Sequence, residues 1–280
     1  MDARSLLTLP GVPRRALSAG AGWLARRRLP PALRRLLWPR LARRLGIPRD
    51  EVPGAWTDYP SFLDLFTRPL PPGARPLPPG DDWLAPADGV LVASETVRPE
   101  GSWLVKGVPY ATHELLAGYD DAEVEGWAGH QVYLSPRDYH RLHAPCDLRV
   151  LSARTHSGDL LPVDPGLVRR SHRVLARNRR ILLRCAAADG EPLALLLVGA
   201  LNVGGMRFPF DATLGAAPWF DHERTYDPPP TLARGDELGT FLLGSTVVLF
   251  ARGERRPRVA VGGRCRARTP FLVEQDAPLP

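Results

Sequence analysis

The sequence predicts an α+β protein that is mainly β: a sandwich- or barrel-like hybrid body preceded by short amphipathic helices. Beyond residue 82 the apolar stretches are short, rich in Val and Leu, and separated by turn residues, which is typical of strands. Pro 31 and Gly 26 together form about a fifth of the 280 residues, which favours many turns over a helical bundle. With 44% hydrophobic and 24% charged residues, the composition is that of a globular protein.

The N-terminal segment, residues 1–50, carries 12 Arg against Asp2 and Asp50, whereas the rest holds 25 basic and 28 acidic residues. Leucines recur at every fourth position from Leu33 to Leu45, and a similar Arg-rich stretch precedes them. Pro39 predicts a break, hence two short helices. Such helices fit a position on an anionic membrane surface. A helix packed on the body with a solvated Arg face, or a mitochondrial transit peptide, are the alternatives.

The composition excludes several classes of protein. Because the positive charge is confined to one segment, a protein that coats nucleic acid is disfavoured. The sequence contains no run of 18 or more apolar residues, so no transmembrane helix is expected. The frequent arginines near the N-terminus argue against a secretory signal. Three widely spaced Cys form no disulfide framework and favour a reducing compartment. Lys106 is the one lysine, so chemistry that needs a lysine Schiff base would depend on it.

The change in charge at residue 50 divides the chain into regions 1–50 and 51–280, and a Pro/Gly-rich stretch at 69–82 separates the helical segment from the predicted strands. Helices in the body are predicted only at Thr112–Gly118 and Ser135–His143. The predicted strands, in chain order, are GVLVASETV, SWLVKGV, HQVYLS, LRVLSARTHS, RRILLRCAAA, PLALLLVGALNVG, GTFLLGSTVVLFARG and RVAVGG.

Three clusters carry residues suited to chemistry. The PADG turn places Asp88 just before a strand, and an ordinary Asp-Gly turn would look the same. In YLSPRDYHRLHAPC, His140 and His143 would share one face of the predicted helix and could act as an acid–base pair. A metal site with Cys146 is the weaker interpretation, because a fourth ligand is missing. In ELGTFLLGSTVVLF, Gly244 precedes Ser245 within an apolar strand, where a glycine bulge is the plain alternative.

Taken together, the clusters supply an Asp, a His and a Ser, the parts of an activated nucleophile. The surroundings of Ser245 are not the G-x-S-x-G elbow of hydrolases. The preceding residue, Gly244, has an unhindered carbonyl. The Ser245 hydroxyl could therefore attack its own preceding peptide bond.

Several ordered motifs resemble those of phosphatidylserine decarboxylase proenzymes. They are LGST, YHRLHAP and PADG, together with FTRPL, VKG-x2-Y and VGA-x-x-VG. LGST alone would be a weak match, but the motifs follow in family-like order over nearly the whole chain. The resemblance is to the longer, membrane-associated bacterial type. It implies a β-rich hybrid sandwich or barrel with N-terminal helices.

The resemblance also implies a mechanism. The proenzyme would cut itself between Gly244 and Ser245 into a β chain, 1–244, and an α chain, 245–280, and Ser245 would become a covalent pyruvoyl group. By similarity, His143 is the base that activates Ser245 and Asp88 orients it.

The remaining roles follow from the same resemblance. Asp138 would support the base, and His140 would be the acid in the decarboxylation of phosphatidylserine to phosphatidylethanolamine and CO2. The implied location is peripheral, on the cytoplasmic side of the cell membrane, with the anionic bilayer surface and the sister chain as partners; no metal and no nucleic acid are expected.

Other functions stay open at this point. A related pyruvoyl decarboxylase could act on another serine lipid, and a serine hydrolase could use Asp88, His143 and Ser245 on an external acyl group. A membrane-binding β domain without enzymatic activity would give Ser245 no role. The sequence assigns no role to Arg68, Lys106 or Cys146, and leaves open whether copies of the chain associate.

Overall fold

The computed structural model describes residues 14–105, 107–116, 119, 121–161, 173–199, 205–216, 220–253 and 255–274. Lys106 and residues 200–204 of the VGA-x-x-VG motif lie outside the described residues. The α-helices are α1 (Arg14–Ala25), α2 (Pro31–Leu45), α3 (Phe62–Phe66), α4 (Thr112–Leu115), α5 (Asp121–Val124) and α6 (Val174–Arg177). Short 3-10 helices span Arg49–Glu51 and Trp56–Asp58.

Strands outnumber helices, which confirms the prediction of a mainly β protein. The first eight are β1 (Trp83–Leu84), β2 (Gly89–Thr96), β3 (Ser102–Val105), β4 (Val108–Ala111), β5 (Ala128–Leu134), β6 (Arg141–His143), β7 (Leu148–His156) and β8 (Arg180–Ala187). The others are β9 (Pro192–Gly199), β10 (Met206–Arg207), β11 (His222–Thr225), β12 (Thr231–Leu232), β13 (Glu237–Phe241), β14 (Ser245–Ala251), β15 (Arg255–Pro257), β16 (Arg264–Cys265) and β17 (Pro270–Glu274).

Nine strands form one antiparallel sheet in the order β11-β7-β8-β9-β14-β5-β2-β16, with β12 also paired to β7. None of the sheets formed by the described residues closes into a barrel. Strand β14 lies near the middle, between β9 and β5, and every residue of it is buried. Its side chains alternate between two cores: Val247 and Leu249 face one, and Val248 and Phe250 face the other. A strand covered on both faces reads as a continuous apolar run, which explains the sequence of β14.

Different layers cover the two faces of the large sheet. On one face the core includes residues of two small sheets, β1-β17-β15 and β10-β13-β6. On the other face the β3-β4 hairpin and the short helices α4 and α6 supply Trp103, Tyr110, Leu115 and Leu175. The body is therefore layered around β14. The small sheet that contains β6 and β13 brings residues 135–143, here called the histidine segment, to the main sheet.

The N-terminal helices pack on the body through a third, smaller core around Trp38. The Trp38 indole donates a hydrogen bond to the Tyr59 carbonyl, 2.8 Å away. Helix α2 ends at Gly46, whose φ of 78° lies in the left-handed region that glycine adopts easily. Within the described residues, no helix combines the length and hydrophobicity needed to cross a bilayer.

Away from Ser245, three expectations about secondary structure are wrong. Helix α2 runs through Pro39 without a break, because Trp38 and Ala42 on either side of it are held in the core. The segment Ser135–His143 is a turn followed by strand β6, not a helix. RVAVGG, residues 258–263, forms bends and a turn, and the strand lies just before it, at β15.

Candidate active site

Ser245 is the first residue of β14, and it is fully buried. Its register partners are Leu134 on β5 and Gly199 on β9, so ladder pairing starts at the serine itself. Residues 242–244 form the loop that brings the chain from β13 to the main sheet, which corrects the expectation of one continuous strand through LGST. Among the described residues, the Ser245 hydroxyl has no hydrogen-bond partner. The serine therefore combines a fixed backbone with a hydroxyl that is free to react.

The histidine segment leaves the sheet directly after Leu134, the register partner of Ser245. Its turn is closed by Asp138, whose carboxylate accepts hydrogen bonds from the Ser135 backbone N–H at 2.7 Å and hydroxyl at 2.6 Å. The Arg264 guanidinium binds the second carboxylate oxygen. The Asp138 carboxylate thus fixes the turn, and no hydrogen bond joins it to His140 or His143 in the described structure.

His140 lies completely buried against Phe66, with ring centroids 3.9 Å apart. Its Nδ1 is 2.7 Å from the Asp138 carbonyl, which can only accept, so Nδ1 carries the proton. Burial is the main cause that lowers the pKa of His140 to about 4. At neutral pH the ring is therefore uncharged, and Nε2 presents a lone pair with no hydrogen-bond partner among the described residues.

His143 ends β6 and has both ring nitrogens engaged. Nδ1 donates to the Gly235 carbonyl at 2.8 Å, so Nε2 is the basic nitrogen. Nε2 accepts a hydrogen bond from the Tyr139 hydroxyl at 3.1 Å, and the two rings stack. Burial lowers the pKa of His143 as well. The tautomer is the one that a general base needs, but the basic nitrogen already has a donor.

Asp88 sits in the PADG turn, which contacts β6 where the His143 backbone N–H donates to the Pro86 carbonyl at 2.9 Å. The turn needs Gly89: its φ is +155°, and a Cβ there would stand 2.2 Å from the Tyr133 carbonyl oxygen. The Asp88 carboxylate is held by both Nη atoms of Arg75 and by the Ala267 N–H. In the described residues no hydrogen bond links it to His143, so its orienting role remains a prediction and the Gly235 carbonyl holds Nδ1 instead.

An ionic cluster that is buried except at Arg266 surrounds Asp88, and sequence reasoning missed it. Glu51 Oε1 accepts from Arg75 and from Arg266, each at 2.8 Å. Arg68 completes the cluster with a longer contact of 3.8 Å to Glu51 Oε2. Arg75 stands in the Pro/Gly-rich stretch that we interpreted as a separator. Its one sequence signal is that it is the sole cation of that stretch.

An apolar groove of about 420 Å³, here called the helix groove, lies between the N-terminal helices and Leu243. Its walls include Leu24 and Ala25 of α1, Trp38 and Leu41 of α2, Phe62, and Leu243. Because Leu243 is two residues before Ser245, the groove connects the N-terminal helices with the loop that precedes the serine.

The other predicted candidates are placed as follows. Cys146 is buried in the main core with a free thiol, and burial raises its pKa to about 12, so it is inert at neutral pH. No group of three or more His, Cys, Asp or Glu side chains in the described part of the chain is arranged to hold a metal. The arrangement that remains is a buried serine hydroxyl beside a segment with two neutral histidines, which suits proton transfer to and from groups shielded from water.

Comparison with known proteins gives a consistent result. A family model described as phosphatidylserine decarboxylase matches residues 62–272. A phosphatidylserine decarboxylase proenzyme of Anaeromyxobacter sp. strain K is 38% identical over 274 residues, 93% of this chain and 94% of the relative. One from Halorhodospira halophila is 39% identical over 85% of this chain and 82% of its own. With the Helicobacter pylori proenzyme the identity is 41%, and the chain spans about half that relative's length, 55%.

Proposed function

The chain belongs to the phosphatidylserine decarboxylase family, and on that premise we propose that it converts phosphatidylserine to phosphatidylethanolamine and CO2. The observation that carries the proposal is Ser245: a fully buried serine with an unpartnered hydroxyl, directly after Gly244, at the edge where the histidine segment leaves the sheet. The enzyme would act after cutting its own chain at Gly244–Ser245.

The residues around Ser245 fit its conversion into a covalent pyruvoyl group. From Ser245 onward the chain is fixed by ladder pairing on both sides, whereas residues 242–244 are a loop that can move away after cleavage. The group supplies a ketone next to an amide, an electrophile that also accepts the electrons released when CO2 leaves. A backbone electrophile is consistent with a chain that has one lysine.

Self-cleavage would use the chain's own groups. The Ser245 Oγ bonds to the Gly244 carbonyl carbon as the Gly244–Ser245 C–N bond breaks, and the Oγ proton moves through a base to the freed amine. Elimination then releases the Gly244 carboxylate, and water hydrolyses the remaining dehydroalanine with loss of ammonia. His143 is the proposed base, since its Nδ1–H is fixed on the Gly235 carbonyl and Nε2 carries the lone pair.

His140 is the proposed proton donor to the carbon that loses CO2. With a pKa of about 4 it is neutral at pH 7 and must first take up a proton at Nε2; once protonated, it is a stronger acid than an exposed histidine. Its complete burial against Phe66 shields that proton from water. The two histidines would thus divide the work: His143 acts in maturation and His140 in turnover.

The N-terminal helices are the proposed contact with the cytoplasmic face of the cell membrane. Trp23 and Leu24 are 58% and 67% exposed, and Leu36 on α2 is also exposed, although all three are strongly apolar. Arginines surround them, and the Arg27 guanidinium stacks on the Trp23 ring at 3.7 Å. Apolar side chains amid cations fit an anionic lipid surface. The helix groove then leads from that surface to the loop before Ser245.

The burial of Ser245 argues against the serine hydrolase alternative. A hydrolase needs its nucleophile open to an external acyl group, whereas Ser245 has no exposed surface and lies between two paired strands. The acyl carbon that its Oγ can attack through a five-membered ring is that of Gly244, the preceding residue.

The experiment that tests the proposal has two readouts on the purified protein. Mass spectrometry under denaturing conditions should show chains 1–244 and 245–280, the shorter one blocked to Edman degradation. Release of CO2 from carboxyl-labelled phosphatidylserine should accompany them and should be abolished, with cleavage, by Ser245→Ala. An intact wild-type chain, or a cleaved chain that releases no CO2, would refute the proposal.

A further inference from the structure

Arg68 is a buried cation that is poorly satisfied by its surroundings. It is 1% exposed, and neither Nη1 nor Nη2 has a hydrogen-bond partner among the described residues. Among the described residues, the guanidinium makes one hydrogen bond, from Nε to the Glu51 carbonyl at 3.1 Å. Burial lowers its pKa, but a guanidinium keeps its charge in proteins. A buried charged donor without acceptors is costly, so such a group calls for a functional explanation.

The chain around Arg68 is fastened to the active site. Ser61 caps α3, and the Phe66 ring at its end contacts the His140 ring at a tilt of 40°. The Thr67 carbonyl accepts from Arg141 Nε at 3.1 Å, which ties this segment to β6. Arg68 also contacts Glu51, which shares Arg75 with Asp88. The unpartnered guanidinium therefore belongs to the same buried region as the proposed proton donor.

The ionic cluster satisfies its other guanidinium groups better than Arg68, because Arg75 is bound by two carboxylates and the Arg266 side chain is 61% exposed to solvent. Two carboxylates, Glu51 and Asp88, face three guanidinium groups. Arg75 takes both Asp88 oxygens and shares Glu51 Oε1 with Arg266, which leaves Arg68 only the 3.8 Å contact with Glu51 Oε2. An anion brought by a ligand would complete the cluster at Arg68.

We propose that Arg68 binds the phosphodiester of the lipid headgroup; this inference rests on the proposed function. The substrate carries two anions, a carboxylate and a phosphate. A cation bound to the carboxylate would stabilise the ground state and oppose the loss of CO2, whereas the phosphate keeps its charge throughout the reaction. Phosphate oxygens also match the planar pair of Nη donors.

The test compares two soluble short-chain substrates: dihexanoyl phosphatidylserine and its methyl phosphotriester, which lacks the phosphate charge. The wild-type enzyme should favour the charged substrate by about 30-fold in kcat/KM, the value expected for a charge-assisted pair. In Arg68→Gln that preference should fall to within about threefold, mainly through a higher KM, and Arg68→Lys should restore part of it.

Self-cleavage, read on a denaturing gel, reports whether each variant folds. Arg180→Gln is the matched control: Arg180 is also buried with a lowered pKa, but its Nη atoms donate to backbone carbonyls of Ala176 and Glu114. It should keep the wild-type preference. Equal losses on both substrates in Arg68→Gln, or loss of its self-cleavage, would overturn the assignment and make Arg68 a structural residue. If the wild-type protein itself releases no CO2, the proposed function fails instead.

Discussion

The Tyr139 hydroxyl donates a hydrogen bond to Nε2 of His143 across 3.1 Å, and the two rings stack with planes 21° apart. This bond stabilises the neutral imidazole. We therefore expect Tyr139→Phe to raise the pKa of His143 and move the pH midpoint of self-cleavage upward by about half to one pH unit. The measurement is the rate at which newly synthesised precursor disappears between pH 5 and 9.

Tyr226→Phe is the control for this experiment, because the Tyr226 hydroxyl donates to Asp211 and no hydrogen bond connects it to His143 in the described residues. It should leave the midpoint unchanged. An unmoved midpoint in Tyr139→Phe would show that His143 is not the group that titrates in cleavage.

The two histidines should separate maturation from turnover. We expect His143→Ala to stay as one uncleaved chain, because the proposed base is gone. His140→Ala should still cleave, since its Nε2 has no bond to the base, but should lose at least about 100-fold in CO2 release. Denaturing gels and labelled-CO2 release measure the two steps. Full CO2 release by His140→Ala would refute its role.

Loss of Arg75 should destabilise the fold more than loss of a surface ion pair. Arg75→Gln leaves Asp88 and Glu51 as buried carboxylates without their main partner, and we expect a loss of about 3–5 kcal/mol in the free energy of unfolding. Arg258→Gln, which breaks a more exposed pair with Asp82, should cost no more than about 1 kcal/mol. Urea titration of both in the uncleaved Ser245→Ala chain gives the comparison, and equal losses would contradict it.

Acid should begin to destabilise the protein near pH 6.5, a higher pH than the one at which ordinary carboxylates titrate. Burial lowers the pKa values of His130 and His140 to about 4, below the 6.5 of an unperturbed histidine. Between pH 6.5 and 4 the unfolded chain therefore binds more protons than the folded one. As the pH falls from 6.5 to 4, the free energy of unfolding should decrease by about 1.4 kcal/mol per pH unit for each of the two histidines. Above pH 6.5 and below pH 4 these histidines should cause no further change.

Urea titrations of the Ser245→Ala chain from pH 8 to 4 measure this slope. His130→Gln should flatten it by about one histidine's contribution, whereas His222→Gln, at an exposed position, should not change it. A slope that is the same in all three chains would contradict the assignment.

Membrane attachment should depend on the exposed apolar side chains of α1 and α2. Deleting residues 1–45 would also remove Trp38 and Ala42 from a core, so point substitutions are the sharper test. Trp23→Ser, Leu24→Ser and Leu36→Ser together should reduce sedimentation with anionic vesicles at least tenfold while self-cleavage persists.

Phe220→Ser with Val261→Ser, equally exposed positions on the body, is the control. Binding should also weaken at high salt, and unchanged vesicle binding would refute the contact.

The strands were predictable because their apolar runs are local signals. The sequence of β14 shows its double-sided burial directly, but it does not show that the strand begins only at Ser245. The strand pattern alone does not single out Ser245 and Gly244, because a glycine bulge would look the same; the combination of the three clusters and the family-like motifs does.

The rest depended on contacts between distant parts of the chain. Asp138 closes its turn on Ser135, a local competitor to the helix that the spacing of His140 and His143 had suggested. Strand β6 has three residues and exists because β13 pairs with it. Arg75 reaches Asp88 from a Pro/Gly-rich stretch whose composition indicates only turns. No periodicity encodes such partners.

The position of β14 between β5 and β9 has a consequence for how the mature protein can come apart. After a cut before Ser245, the short chain would still hold the centre of the large sheet through β14, an edge of it through β16, and β1 through β17. Unfolding would then be a dissociation of two molecules, so its midpoint should rise with protein concentration. The uncut chain keeps both pieces at high effective concentration, which favours folding before the cut. The mature enzyme should therefore not reassemble efficiently from dilute, separated chains.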